Sequence, residues 1–164
     1  MRGPVGLRHA ALVALVALAP LAAARAAPPI PASCLALKSG AEAALAATST
    51  AALGPVSYPG LADAPGCTIT FTGSGKVFGT SFQAVAAKLD AMMQGRGWAQ
   101  DNNAAADGPT GTAMGYRKAA QAIAVSVNYD TPKGVCSQDA PVASCHPTAA
   151  QMLYTITLGL TPAS

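Results

Sequence analysis

Aromatic and charged side chains are both scarce in this chain, at 5% and 10% of its 164 residues. With one Trp, four Tyr and three Phe, the core has to be assembled mainly from alanine and aliphatic side chains. Such a core buries less apolar area per residue, so a covalent supplement would help it. Histidine is rarer still: only His9 and His146 occur. C-x-x-C, H-E-x-x-H, G-x-S-x-G and dinucleotide-binding spacings are all absent. That removes the standard zinc frameworks, the zincin helix, the nucleophile elbow and the Rossmann fingerprint.

An excess of positive charge is also missing once the N-terminus is considered. Arg2, Arg8 and His9 form a basic start, followed by an apolar run from Ala10 to Ala24 broken only by Pro20. Ala24-Arg25-Ala26 then offers small residues where a signal peptidase reads them. The pattern predicts a secretory signal peptide over residues 1–26, since the run falls short of the roughly 20 residues that span a bilayer. Residues 27–33, with three prolines, are expected as an extended leader, and 34–164 as a single disulfide-stapled domain. Arg2, Arg8 and Arg25 leave with the signal, so seven basic residues face seven acidic ones. A neutral chain whose one adjacent cationic pair is Arg117-Lys118 gives no basis for a nucleic-acid partner. No second long apolar run exists, so no transmembrane segment is expected after cleavage, and the place of action is secreted or periplasmic.

Four cysteines are what the chain does have. Cys34, Cys67, Cys136 and Cys145 all lie in the exported part, and an even set in an oxidising compartment reads as two disulfides. Of three possible pairings, Cys34–Cys67 ties the N-terminal segment to the first strand, and Cys136–Cys145 closes one Pro-containing loop. Loop-closure entropy assigns about 3.8 kcal/mol to the longer loop and about 2.7 kcal/mol to the shorter one.

Periodicity supplies the rest. From Thr80 to Trp98, Phe82, Val85, Ala86, Leu89, Met92 and Met93 fall at steps of three and four. They predict an amphipathic helix over Thr80–Gln94, with Thr80 as N-cap, Gln83 as its capping-box partner, and Gly95 and Gly97 as the stop. Cys67–Thr72 alternates strictly, as do Thr112–Lys118, Ala122–Asp130 and the segment from Gln151 to Leu160, predicting strands. Alanine-rich Cys34–Thr48 predicts a helix weakened by Gly40. Residues 54–66 and 101–111, rich in Pro, Gly, Asp and Asn, read as loops, with WAQDNN as a short strand entering the second. The expected fold is therefore α+β. An antiparallel sheet of about four to five strands carries one amphipathic helix on one face, in β-α-β-β-β order, after an N-terminal helical segment.

No acidic pair has helix spacing for acid–base work, and a triad would have to use His146, beside a cysteine expected to be oxidised. Asp101, Asn103 and Asp107 invite calcium, but the EF-hand positions that should follow hold Ala105 and Thr112. No cofactor and no metal site are therefore expected. Trp98, Asp107, Tyr116, Arg117 and Lys118 form the densest group of interface-type residues and are the expected binding rim. The leading expectation is an exported, non-catalytic interaction module with an envelope or extracellular protein as partner. The alternative is a small-ligand or metal binder, and an enzyme is third. Mass spectrometry of the non-reduced protein should show both disulfides and a new N-terminus at Ala27; four free thiols would remove the covalent framework assumed here.

Overall fold

A computed structural model describes residues 28–136 and 144–161. The expected signal segment of residues 1–26 lies outside these, as does Asp139, between Cys136 and Cys145 in sequence. The described chain is α+β: an antiparallel sheet of six strands, not four or five, with helices on one face. Helix α1 spans Ala32–Leu45, followed by β1 (Thr50–Val56) and β2 (Ala64–Ser74). Next come α2 (Gly75–Phe78), α3 (Phe82–Gly95), β3 (Ala99–Gly108), β4 (Gly111–Lys118), β5 (Gln121–Asp130) and β6 (Leu153–Leu160). Across the sheet the order is β1-β2-β6-β5-β4-β3.

Strand alternation decides which side is buried. In register across the centre lie Cys67, Leu160, Ile123 and Tyr116, then Ile69, Leu158, Val125 and Met114, then Phe71, Ile156 and Val127. All are buried, and they form the floor on which the helices rest. Helix α3 sets Phe82, Val85, Ala86, Leu89 and Met93 onto that floor, which is the stripe expected from its spacing. Its N-cap is Ser81, not Thr80: the Ser81 hydroxyl accepts from the Ala84 N–H at 3.2 Å. Gln83 takes a hydrogen bond from that hydroxyl instead of reaching back to the cap backbone. Helix α1 begins inside the expected leader and ends at Leu45, before the predicted Thr48. It contributes Cys34, Leu37, Ala41 and Leu45 to the same core.

The two strands at the sheet edges depart furthest from expectation. Strand β1 begins in residues left unassigned after the predicted helix and runs into the predicted loop at 54–66. Strand β3 takes up the expected short strand WAQDNN from Ala99 and extends it through most of the segment read as a turn-rich loop. Both are exposed along most of their length, so nothing forces apolar and polar residues to alternate. Pro55 and Pro65 face each other in the β1–β2 pair, at the outer edge of the sheet where proline is tolerated. Strand β3 shifts register between Asp101 and Ala106, a bulged edge of the kind that discourages further strand addition. At the end of β2, Ser74 caps the single turn of α2, which buries Phe78 edge-on against Tyr154 at 5.6 Å.

Both disulfides form, Cys34–Cys67 with Cα atoms 6.2 Å apart and Cys136–Cys145 with 5.5 Å. The first joins α1 to β2, and the second closes the connection between β5 and β6. Leu89 is fully buried beneath α3. Leu89→Asp is therefore expected to unfold the domain, and Leu89→Ala to cost about 2–5 kcal/mol in urea denaturation. A folded Leu89→Asp protein would contradict this packing.

Candidate functional site

The five residues expected to share one rim are distributed over four places. Tyr116 is the clearest correction. It is wholly buried, and its hydroxyl donates to Asp90 Oδ1 at 2.9 Å, beneath α3. Burial, and then the neighbouring Asp90 carboxylate, push its ionisation upward, as expected of a core tyrosine. Its alternation with Met114 already placed it on the covered side of β4. Asp107 lies on exposed β3 and accepts from the Thr112 hydroxyl at 2.6 Å, bracing the β3–β4 hairpin.

Arg117 points to the sheet face opposite the helices. There its Nε donates to Asp101 Oδ2 at 2.6 Å and its guanidinium stacks over the Tyr58 ring, 4.7 Å from the centroid. The Tyr58 hydroxyl donates to the same carboxylate oxygen at 2.9 Å. Tyr58 comes from the β1–β2 connection and packs on Ala104 and Ala122, so this trio pins that loop across the open face. Gly115 makes the approach possible, because a side chain there would overlap the Tyr58 hydroxyl and Ala104. The Arg117 hydrogen bond, with that of Tyr58, holds the Asp101 carboxyl below its usual range, and Asp101 in turn raises Arg117. Burial and Asp101 push the Tyr58 hydroxyl up to about 12. With every member engaged by the others, the trio is a clasp.

Trp98 and Lys118 are the two that come together, and they do so with a residue that spacing did not single out, Arg96. These three line a cleft of about 350 Å³ at the end of the helix layer, with Leu37 of α1 and Gln121 of β5. The positions follow from chain geometry. Helix α3 ends at Gly95, the left-handed Gly97 turns the chain, and Trp98 enters β3 half-buried against the core. Lys118 and Gln121 pair across the tight β4–β5 turn, where Ala119 takes the positive φ that such hairpins require. Lys118 Nζ donates to the Arg96 carbonyl at 2.7 Å, and Arg96 Nη1 donates to the Ala36 carbonyl of α1 at 2.8 Å. Both partners are neutral. The ion pairs among the described residues are Lys38–Glu42 and Arg117–Asp101, so neither Arg96 nor Lys118 has a carboxylate within 4 Å there. The first turn of α1, which also borders the cleft, has neither a side-chain cap nor an acidic residue to offset its positive end.

Catalytic geometry is harder to assemble. Cys145 is in a disulfide and His146 is exposed beside it. Asp90, Asp101, Asp107 and Glu42 each hold a structural hydrogen bond. Among the described residues no group of three or more His, Cys, Asp and Glu is placed to hold a metal ion. No family model, curated protein or solved structure matches the chain.

The clasp carries its own pH signature. Tyr58 ionises near 10 when unfolded and at about 12 when folded. Its contribution is therefore complete below pH 10 and lost as pH rises towards 12. Asp101 has the opposite sense, contributing above its unfolded value and losing that contribution as acid protonates it. Tyr58→Phe should cost about 1–3 kcal/mol at pH 7 and flatten the decline in stability between pH 10 and 12, read from urea melts across that range. An unchanged alkaline decline would show that Tyr58 does not set it.

Proposed function

We propose that this protein is an exported, non-catalytic binding module of the periplasm or extracellular space, and that it recognises its partner at the Arg96–Trp98–Lys118 cleft. One observation carries the reading: two cations with no carboxylate partner among the described residues line a formed cleft with a half-buried tryptophan. Arginine and tryptophan supply the largest shares of binding energy in protein interfaces. A cation held ready without an internal carboxylate favours an acidic group brought by the partner.

Export rests on the signal pattern of residues 1–26. Two disulfides are consistent with it, and no helix among the described residues is long and apolar enough to cross a membrane. The small-ligand alternative draws on the same cleft. Its metal-binding form has less support, because Asp101 is committed to Tyr58 and Arg117, and Asp107 to Thr112.

Charge reversal tests the reading without disturbing the core, since Arg96 and Lys118 are exposed. Arg96→Glu and Lys118→Glu should each keep the melting temperature within about 5 °C. Each should weaken capture of the partner from envelope extracts at least tenfold, whereas Lys133→Glu, remote in the β5–β6 connection, should not. Full capture by both cleft variants would place recognition elsewhere.

A further inference from the structure

The cationic cleft continues into a second, larger one. A trough of about 470 Å³ adjoins it, and the two share Ser33, Gln121 and Leu160 as a common wall. Pro28, Pro31, Leu53, Pro65 and the Cys34–Cys67 disulfide line the trough, and among the described residues no charged side chain does. Leu53, on edge strand β1, is 39% exposed, a large apolar side chain left open to water. The trough is thus mainly apolar and adjoins, at one end, two cations that have no carboxylate partner among the described residues.

That combination complements one kind of molecule. A neutral chain would fill the trough but leave Arg96 and Lys118 unused. A short anion would meet the cations and leave the trough wet. A small amphiphile with an unbranched tail and an anionic head uses both, through burial of methylenes and charge-assisted hydrogen bonds. Arg96 is suited to the head, because only its Nη1 is engaged with protein, leaving most of its five donors available. Gly40 lets that guanidinium lie across α1, where a Cβ would overlap it. Trp98 borders the cationic end, with an apolar ring body and a polar N–H.

On the footing of the binding-module reading, we propose that the two clefts form a single site for a long-chain carboxylate. The tail lies along the Leu53–Pro65–disulfide trough, and the carboxylate lies between Arg96 and Lys118.

Trp98 is the one tryptophan of the chain, so its emission reports the site directly. Titrating the purified, disulfide-bonded protein with submicellar dodecanoate should shift that emission saturably, at one-to-one stoichiometry. Decanoate and then octanoate should each bind roughly three- to tenfold more weakly than the next longer chain. Dodecyl maltoside, with the same tail on an uncharged head, should bind at least tenfold more weakly than dodecanoate. Lys118→Glu and Leu53→Glu should each weaken dodecanoate at least tenfold, with melting temperatures showing that both variants fold.

Three results would overturn the proposal: no response of the wild-type protein, equal affinity for acetate and dodecanoate, or dodecanoate binding indifferent to both substitutions. Equal affinity for acetate and dodecanoate, with Lys118→Glu weak for both, would remove the amphiphile but keep an anion-recognising cleft. The binding-module reading itself fails only on the separate result that charge reversal leaves partner capture intact.

Discussion

The bond between Cys34 and Cys67 holds the first helix on the sheet, and the shape of the Arg96–Trp98–Lys118 cleft depends on where that helix sits. Helix α1 brings little of its own to the core, chiefly Leu37, Leu45 and Ala41 beside the cysteine. Two leucines and an alanine are a slender hold for 14 residues, given the entropy of ordering each one. The disulfide removes much of that difficulty in the unfolded chain, before packing contributes anything. It also forms part of the apolar trough, and by fixing α1 it places the Ala36 carbonyl where Arg96 can reach it. Covalent framework and binding geometry are thus one arrangement.

Legibility of the fold followed burial. Strands β4, β5 and β6 and helix α3 were readable because each lays large aliphatic or aromatic residues on a covered floor, and that requirement imposes a period on the sequence. Strands β1 and β3 carry no such requirement. Flanked on one side only and largely exposed, they can hold Gly54-Pro55 or Asp101-Asn102-Asn103, which imitate loops. Their existence is decided by hydrogen bonding to β2 and β4, a tertiary fact without local pattern. Counting only patterned strands therefore understated the sheet. The one-residue shift of the α3 cap has a different origin, since Thr80 and Ser81 are chemically equivalent caps and only the approach of the chain chooses between them.

The site was legible in part for similar reasons. Trp98 and Lys118 lie 20 positions apart, and proximity between them needs the β3–β4 hairpin to return the chain to the end of α3. Arg96 looked like an ordinary cation between two glycines, and only the resting place of α1 gives it a role. Tyr116 is interface-like in residue type, but its alternation with Met114 on β4 is the stronger signal and puts it beneath α3. Tyr58 packs on the face opposite the helices in the company of Asp101 and Arg117, a placement that no local pattern in residues 54–66 announces.

Sheet order has one more consequence. Strand β6 is the last of the described chain, yet it lies in the interior of the sheet, between β2 and β5. Two local pieces, the β1–β2 hairpin and the β3–β4–β5 meander, can form from neighbouring sequence, but neither can join the other until residues 153–160 arrive. A chain still lacking residues 153–160 therefore cannot close into the six-stranded sheet: its two halves stay separate, and the final strand works as a keystone.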